Sequence, residues 1–98
     1  MKLPVIVSPE AKSEWTDAAD WYEARDPGRG RLFSDAIDHA LNLIGESPEL
    51  FAPAFEDIRR CPISEYPYVI YYTVEANHVL ITSVFHTRRD PKHWRKRT

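Results

Sequence analysis

Residues 65–84 read EYPYVIYYTVEANHVLITSV and contain two runs of strand-forming residues separated by a short polar segment. The first run, Tyr68 to Val74, is rich in aromatic and β-branched residues, which favour strands. Both faces of this run are apolar, which predicts a central strand. Glu75-Ala76-Asn77-His78 has the composition and length of a hairpin loop, and Val79 to His86 forms the second run. The chain is therefore expected to be built around a pair of adjacent strands.

A short strand and a long helix are predicted before this pair. Leu3 to Val7 contains three consecutive β-branched residues and predicts a strand. Ser8 can cap a helix and Pro9 suits its first position, so a helix is expected from Pro9 to Arg25. An apolar stripe at helical spacing supports this helix: Ala11, Trp15, Ala18, Ala19 and Tyr22. Its aromatic residues are expected to pack the helix onto a sheet: Trp15, Trp21 and Tyr22.

A second helix is predicted from Arg29 to Glu46. Asp26-Pro27-Gly28 turns the chain before it, and Ser47-Pro48 closes it. The apolar positions again follow the helical period: Phe33, Ala36, Ile37, Ala40, Leu41 and Ile44. Two helices joined by so short a link predict an antiparallel helical hairpin.

The segment between the second helix and the strand pair is strand-like but irregular. Residues 51–63 are interrupted by Pro53 and Pro62, and proline cannot donate to a central ladder, so an edge strand is expected. The predicted order is β-α-α-β-β-β. Amphipathic helices need a sheet face to cover their apolar stripes. The sequence thus predicts an α+β fold with an antiparallel four-stranded sheet and the N-terminal helical hairpin packed on one face. Its 98 residues fit a single domain, residues 1–98.

Charge is distributed unevenly along the chain, although the net charge is only −2. Residues 1–50 hold 5 basic and 10 acidic residues, whereas residues 51–98 hold 8 basic and 5 acidic residues. The C-terminal end therefore suits an acidic partner or surface. Nucleic-acid binding does not follow from this pattern, because the chain as a whole is not basic.

Cysteine and motif content narrow the class of protein. Cys61 is the single cysteine, so no internal disulfide can form and a reducing cytoplasm is expected. The N-terminal apolar run is too short for a signal peptide, and no segment is long enough to span a membrane. The four histidines lack metal-ligand spacing, and Gly28-Arg29-Gly30 is not a dinucleotide fingerprint. We therefore expect no metal, no cofactor and no membrane partner.

Three stretches of the chain resemble the RelE/ParE superfamily of toxins. They are SPEAKSEWTDAADWYE at residues 8–23, the strand pair of residues 65–84, and FHTRRDPKHW at residues 85–94. The last stretch carries the resemblance to the ParE branch. The resemblance implies a type II toxin–antitoxin pair whose antitoxin wraps the toxin with its C-terminal segment, and it allows higher-order assemblies of the two. ParE-like members act on DNA gyrase, whereas RelE-like members cut messenger RNA on the ribosome. Both share one fold, so the fold does not choose between them.

Two sets of candidate residues follow from these alternatives. An mRNA endonuclease needs a base, an acid and cations around the phosphate, for which His86, Arg88, Arg59 and Tyr71 are the candidates. A net charge of −2 is unfavourable for an enzyme that enters the ribosome, and the C-terminal tyrosine or histidine pair typical of nuclease members is absent. A gyrase inhibitor would instead use the basic ending. The candidate target-binding residues are Arg88, Arg89, Lys92, Trp94 and Arg95.

The leading hypothesis is a non-enzymatic toxin that inhibits gyrase. The alternatives are a ribosome-dependent mRNA endonuclease and an inactive member that only binds its partner. Each candidate residue also has a structural interpretation: Arg88 and Arg89 can form ion pairs that fasten the C-terminus. The tyrosines of the strands can simply pack in the core.

Overall fold

The computed structural model describes residues 2–88, which form one strand, two helices and four further strands. The helices are α1 (Pro9–Arg25) and α2 (Arg29–Glu46). The strands are β1 (Val5–Val7), β2 (Pro53–Phe55), β3 (Ile58–Pro62), β4 (Tyr68–Val74) and β5 (Val79–His86). The α+β class, both helices and the central strand pair agree with the prediction from sequence.

The five strands form one sheet in the order β1-β5-β4-β3-β2. It has one strand more than predicted, because residues 51–63 fold into two strands around a turn at Glu56 and Asp57. Glu56 takes a positive φ of 51° in this turn. β1 and β2 are the two edge strands of the sheet, and Pro53 lies in β2. β3, which ends at Pro62, pairs with β2 on one side and with β4 on the other, so the edge position predicted for residues 51–63 is correct for β2 and wrong for β3. Pro53 thus lies in an edge strand, where its missing N–H is tolerated, whereas Pro62 is the last residue of an interior strand.

The first strand makes the sheet mixed rather than wholly antiparallel. β1 pairs in parallel with the start of β5, with Val5 opposite Val79 and Val7 opposite Ile81. All other neighbouring strands are antiparallel. The two helices between β1 and the rest of the sheet supply the long crossover that a parallel pair needs.

Each helix has a side-chain cap at its N-terminus. The Ser8 hydroxyl accepts a hydrogen bond from the backbone N–H of Ala11 at 3.1 Å, and this is the predicted cap of α1. At the start of α2, Gly28 has a φ of 92° and offers no side chain for capping. The Glu23 carboxylate of α1 replaces that cap, accepting hydrogen bonds from the backbone N–H groups of Gly28 and Gly30 at 3.0 and 3.1 Å. A negative group at this helix end is also favoured by the helix dipole.

The core lies mainly between the helical hairpin and one face of the sheet. Its largest members with no exposed surface are Tyr72, Phe33, Ile37, Ile44, Ile70 and Ile81. A smaller apolar cluster occupies the other face, formed by Ile58, Val69, Tyr71 and Phe85 with Phe55 packed against it. Both faces of the central strands are therefore buried, as their composition predicts. No helix within residues 2–88 has the length and apolar composition needed to cross a membrane.

The aromatic residues of α1 differ in their surroundings. Tyr22 packs against Phe33 and Tyr68, and the indole N–H of Trp15 donates to the Ser34 hydroxyl of α2 at 3.1 Å. Trp21, by contrast, is 51% exposed, and the guanidinium of Arg25 lies 3.6 Å from its ring centre. The packing expected of Trp21 against the sheet is therefore largely absent, because its position lies at the rim of the apolar stripe.

Candidate functional site

The end of β5 is the point from which the chain leaves the sheet towards its basic C-terminus. β1 covers the outer edge of β5 only as far as Ile81, whose carbonyl accepts the backbone N–H of Ser8 at 3.0 Å. Beyond that point a residue of α1 covers the edge of β5. Oε1 of Glu14 accepts hydrogen bonds from the backbone N–H of Val84 at 3.1 Å and from the hydroxyl of Ser83 at 3.2 Å. A carboxylate on the helix thus substitutes for a neighbouring strand.

His86 closes β5 on the face that carries the helices. Its ring makes an edge-to-face contact with Tyr68, at 5.1 Å between ring centres. The backbone N–H of Arg88 donates to its Nδ1 at 3.1 Å. The N–H of Thr87 donates to the Pro67 carbonyl at 2.9 Å. These contacts hold His86 and the backbone that follows it against the turn before β4.

A cleft of about 670 Å³ lies between α1 and this end of β5. The helix contributes one wall and the ends of β4 and β5 contribute the other. Its lining residues are Glu14, Asp17, Ala18, Trp21, Tyr22, Pro67, Tyr68, Val84, His86 and Arg88. The described lining of the cleft combines carboxylates, aromatic rings and an arginine, so it carries both signs of charge.

Tyr22 is at the centre of an aromatic cluster that forms the floor of this cleft. Its ring centre lies 5.1 Å from those of Trp21 and Phe33, and 5.2 Å from that of Tyr66. Burial raises the pKa of the Tyr22 hydroxyl, and the neighbouring Tyr68 and Tyr66 raise it further. Aromatic pairs of this geometry contribute to stability beyond their buried area, so the cluster stabilises the packing of α1 beside the cleft.

The four candidate catalytic residues do not converge. His86 and Arg88 line the cleft on the helix-bearing face. Tyr71 lies on the opposite face, in the cluster with Val69 and Phe85. Arg59 does not line the cleft, and its guanidinium donates to the backbone carbonyls of Phe51 at 2.7 Å and Glu49 at 3.4 Å. Arg59 therefore fastens the segment between α2 and β2.

The predicted target-binding set is described only at its first member. Arg88 is exposed and its backbone is held by His86. The remaining members, Arg89, Lys92, Trp94 and Arg95, lie outside the described residues. The structure therefore establishes where this basic segment starts: beside the cleft, at the end of β5.

Residues 2–88 contain no group of three or more histidine, cysteine, aspartate or glutamate side chains that could hold a metal ion. Cys61 is buried in the core, and this burial raises the pKa of its thiol to about 11. A thiol of such high pKa is a poor nucleophile and a poor metal ligand at neutral pH. Cys61 is thus a structural residue.

Sequence reasoning did not single out Glu14 or Glu23 as organising residues. Glu14 has no local signal for this role, because its partners Ser83 and Val84 are about 70 positions away. The Glu23 interaction does have a local signal, since a glutamate five residues before Gly28 can reach back over the turn.

A family model described as "ParE toxin of type II toxin-antitoxin system, parDE" matches residues 5–91. This chain belongs to the ParE toxin family. The ParE model begins at the first residue of β1 and continues past the end of β5, so it covers every described helix and strand.

A solved structure is similar to this ParE family member in fold. It is titled "Chromosomal ParDE TA system from P. aeruginosa", and it superposes with a TM-score of 0.79 at 11% sequence identity. The match covers 89% of this chain and 98% of the other chain. At such low identity the similarity concerns the fold alone. Among curated proteins, none matches the sequence.

Proposed function

We propose that this ParE family toxin inhibits DNA gyrase without being an enzyme, and that a cognate antitoxin neutralises it. Membership of the ParE family supports the class of target. The observation that carries the non-enzymatic part is the separation of His86 and Tyr71 on opposite faces of the sheet. Cleavage of RNA needs a general acid and a general base that both act at one phosphate and its 2′-hydroxyl. Each must lie within hydrogen-bond distance of the reacting group, or reach it through one water.

The distribution of cations also favours inhibition over RNA cleavage. Arg59 is engaged with backbone carbonyls of its own chain, and Arg88 lies in a cleft that also contains Glu14 and Asp17. A polyanion would meet carboxylates at this site, and like-charge contact is unfavourable. A protein target with mixed charge fits the surface better. Because gyrase acts in the cytoplasm, the proposal also locates the toxin there.

An antitoxin is proposed because several large apolar side chains are exposed. Leu50 is 66% exposed, Leu32 is 54% exposed and Ile6 is 50% exposed. A partner that laid a helix or strand over such residues would remove apolar surface from water and stabilise the toxin by mass action. We expect one-to-one pairing, and co-expression with the antitoxin should raise soluble yield and the melting temperature.

The decisive experiment compares two activities of the purified full chain. We expect it to inhibit the supercoiling of relaxed plasmid by gyrase and to leave ribosome-bound mRNA intact. Codon-phased mRNA cuts with normal supercoiling would establish the endonuclease alternative instead. Inactivity in both assays, with intact antitoxin binding, would identify a member that only binds its partner.

Arg88 and Arg89 test whether the basic segment contacts gyrase. Arginine presents a planar fork that pairs with carboxylates in two hydrogen bonds, and lysine keeps the charge but not the fork. The double substitution Arg88→Ala with Arg89→Ala should strongly reduce growth inhibition without lowering the melting temperature, and the double lysine variant should retain only part of the activity. Truncation after Pro91 tests the contribution of Lys92, Trp94 and Arg95. Full toxicity of a folded double-alanine variant would exclude these two arginines from the contact.

A further inference from the structure

The sheet face opposite the helices is buried more completely than residues 2–88 explain. An antiparallel sheet commonly packs one face on the core and leaves the other face, with polar side chains, to solvent. Here Val69 and Phe85 are each 2% exposed and Tyr71 is 6% exposed on that second face. Within residues 2–88 their cluster contains strand residues only. Some other segment must therefore cover them.

The strand β3 shows where this cover stops. Arg60 pairs with Tyr71, and Pro62 pairs with Val69, so each pair shares a face of the sheet. Arg60 and Pro62 are both exposed, whereas their partners in β4 are buried. The cover therefore lies over β4 and β5 and does not extend over this part of β3.

Burial along β5 shows where the cover begins. Leu80 lies on the second face, because strand side chains alternate and both of its neighbours belong to the core on the helix side. Leu80 is half-buried, whereas Phe85 near the end of the strand is almost wholly buried. Ile58 of β3 is a separate case, since it pairs with Phe55, which packs against the same cluster. The cover thus lies next to the point where the chain leaves the sheet.

The segment that follows β5 starts at this point and is long enough to supply the cover. Thr87 and Arg88 form a turn after β5, and residues 89–98 add ten residues beyond it. Ten extended residues span at most about 33–36 Å. A layer packed on a sheet lies about 10 Å from it, and neighbouring strands are about 4.8 Å apart. The segment can therefore pass over both β5 and β4.

Trp94 is the one large apolar side chain of this segment. Tyr71 and Phe85 offer it an aromatic surface, with ring centres 6.2 Å apart and planes at 65°. Indole rings bury a large area and pack edge to face on such rings. Trp94 lies six residues beyond Arg88, a reach of about 20 Å when extended, whereas two residues back along β5 measure only about 7 Å.

Charge favours a segment that runs back along the sheet. Residues 95–97, Arg-Lys-Arg, follow Trp94 directly. The turn between β2 and β3 and the hairpin between β4 and β5 lie at the end of the sheet remote from His86. Three exposed acids are found there: Glu56, Asp57 and Glu75. Opposite charges therefore attract the end of the segment in this direction.

We propose that residues 89–98 fold back over the second face of the sheet, with Trp94 seated on Val69, Tyr71 and Phe85. Trp94 is then a positioning residue, because it fixes where the cations on either side of it are presented. The inference rests on packing and charge within this chain and not on the proposed gyrase target. It leaves Arg88 and its neighbour at the end of β5 as candidate target contacts.

Cross-linking of the full chain tests the placement. Cysteines introduced by His93→Cys and Arg60→Cys should be joined within one molecule by a short bismaleimide, several times faster than His93→Cys with Asp17→Cys. Asp17 is the matched control, since it lies on the helix side and lines the cleft with Arg88. The native Cys61 is buried, with a thiol pKa of about 11, so it reacts little.

Each other outcome of this experiment would overturn the proposal. Faster linkage to Asp17→Cys would place the segment in the cleft, and equal rates would show a segment without a preferred position. Links between molecules in place of links within one would show that a second copy covers the face. Trp94→Ala should slow the linkage to Arg60→Cys several-fold, whereas Trp94→Phe should largely preserve it. An unchanged rate in Trp94→Ala would exclude the positioning role.

The exposure of the ring provides a second measurement. With 5-fluorotryptophan in the full chain, the Trp94 fluorine resonance should respond to replacement of H₂O by D₂O much less than that of Trp21, which is half exposed. Trp94→Ala should lower the melting temperature by about 5–10 °C, and Lys96→Ala in the same segment should change it little. A Trp94 resonance as sensitive as that of Trp21 would contradict the fold-back.

None of these measurements involves gyrase, so the two proposals can fail separately. If the cross-links form as expected and supercoiling is not inhibited, the proposed target fails alone. If supercoiling is inhibited and the cross-links show no preference, the fold-back fails alone.

Discussion

The carboxylate of Glu14 accepts a hydrogen bond from the backbone N–H of Val84, 70 residues further along the chain, at 3.1 Å. The bond lies where β1 has ended and β5 continues, so a side chain on α1 completes the edge that a sixth strand would otherwise cover. It connects the helix that forms one wall of the cleft with the strand that leads into the basic C-terminus.

Glu14→Ala should destabilise the fold. It leaves the N–H of Val84 without its acceptor, and loss of a hydrogen bond to a charged group costs about 1.5–3 kcal/mol. Chemical denaturation should show this loss, and the amide of Val84 should exchange with deuterium faster than that of Ile81, which β1 protects. Asp20→Ala is the control and should change stability by less than about 0.5 kcal/mol, as is usual for exposed sites. An unchanged exchange rate at Val84 would disprove the bracing role of Glu14.

Gly30→Ala should also destabilise the chain, although the same change in an exposed helix usually stabilises it by about 0.5–1 kcal/mol. A Cβ at Gly30 would lie 2.7 Å from the backbone oxygen of Ala19 and 3.0 Å from the Cβ of Glu23. The helices would have to separate, at a cost of about 1–3 kcal/mol, and the Glu23 cap of α2 would be disturbed. The melting temperature provides the measurement, with exposed Ser13→Ala as a control. A higher melting temperature for Gly30→Ala would contradict the close approach of the helices.

Stability should decline at high pH because of Tyr72. Burial, offset in part by Arg59, raises its pKa from 10.0 to about 12, so the folded state favours the protonated hydroxyl. The contribution of this raised pKa to the free energy of unfolding is complete below pH 10, and it is lost as the pH rises towards 12. Denaturation between these limits should show a steeper loss for the unmodified chain than for Tyr72→Phe. The variant should itself be less stable by about 0.5–1.5 kcal/mol at neutral pH, because Tyr72 donates to the Pro48 carbonyl at 2.8 Å. Parallel pH profiles for the two proteins would refute this assignment.

Cys61 should resist alkylation in the native protein. Its thiol has a pKa of about 11 as a result of burial, and the thiolate is the reactive species. Iodoacetamide at neutral pH should modify it only as fast as the chain opens, so the rate should rise in step with added denaturant. Mass spectrometry follows the modification, and the fully unfolded chain serves as the reference. Rapid labelling under native conditions would show that the thiol is accessible.

The helices and the central strands could be predicted from sequence because their signals are local. Ser8 and Pro9 define the start of α1, and both helices have the bounds that their apolar spacing predicts. Tyr68–Val74 is buried on both faces, as its composition indicates. These features depend on residues close together in the chain, so the pattern contains the necessary information.

The site could be predicted only in part. The strand leading to Arg88 was recognised, but the contribution of α1 was not, because the pairing of Glu14 with Val84 depends on a register between distant segments. The splitting of residues 51–63 into β2 and β3 was also missed, since it depends on a turn at Glu56 that has no glycine to mark its positive φ. Periodicity indicates which face of an element is apolar, but not which other element covers it.

The parallel pairing of Val5 with Val79 limits the order in which the strands can pair during synthesis. During synthesis, β1 and both helices leave the ribosome long before β5, the strand with which β1 pairs. The apolar stripes of the helices therefore remain uncovered until the sheet forms. A translation product that stops short of residue 79 would contain the helical hairpin but could neither close the sheet nor carry the basic ending. The sheet can therefore close only after synthesis has passed β5.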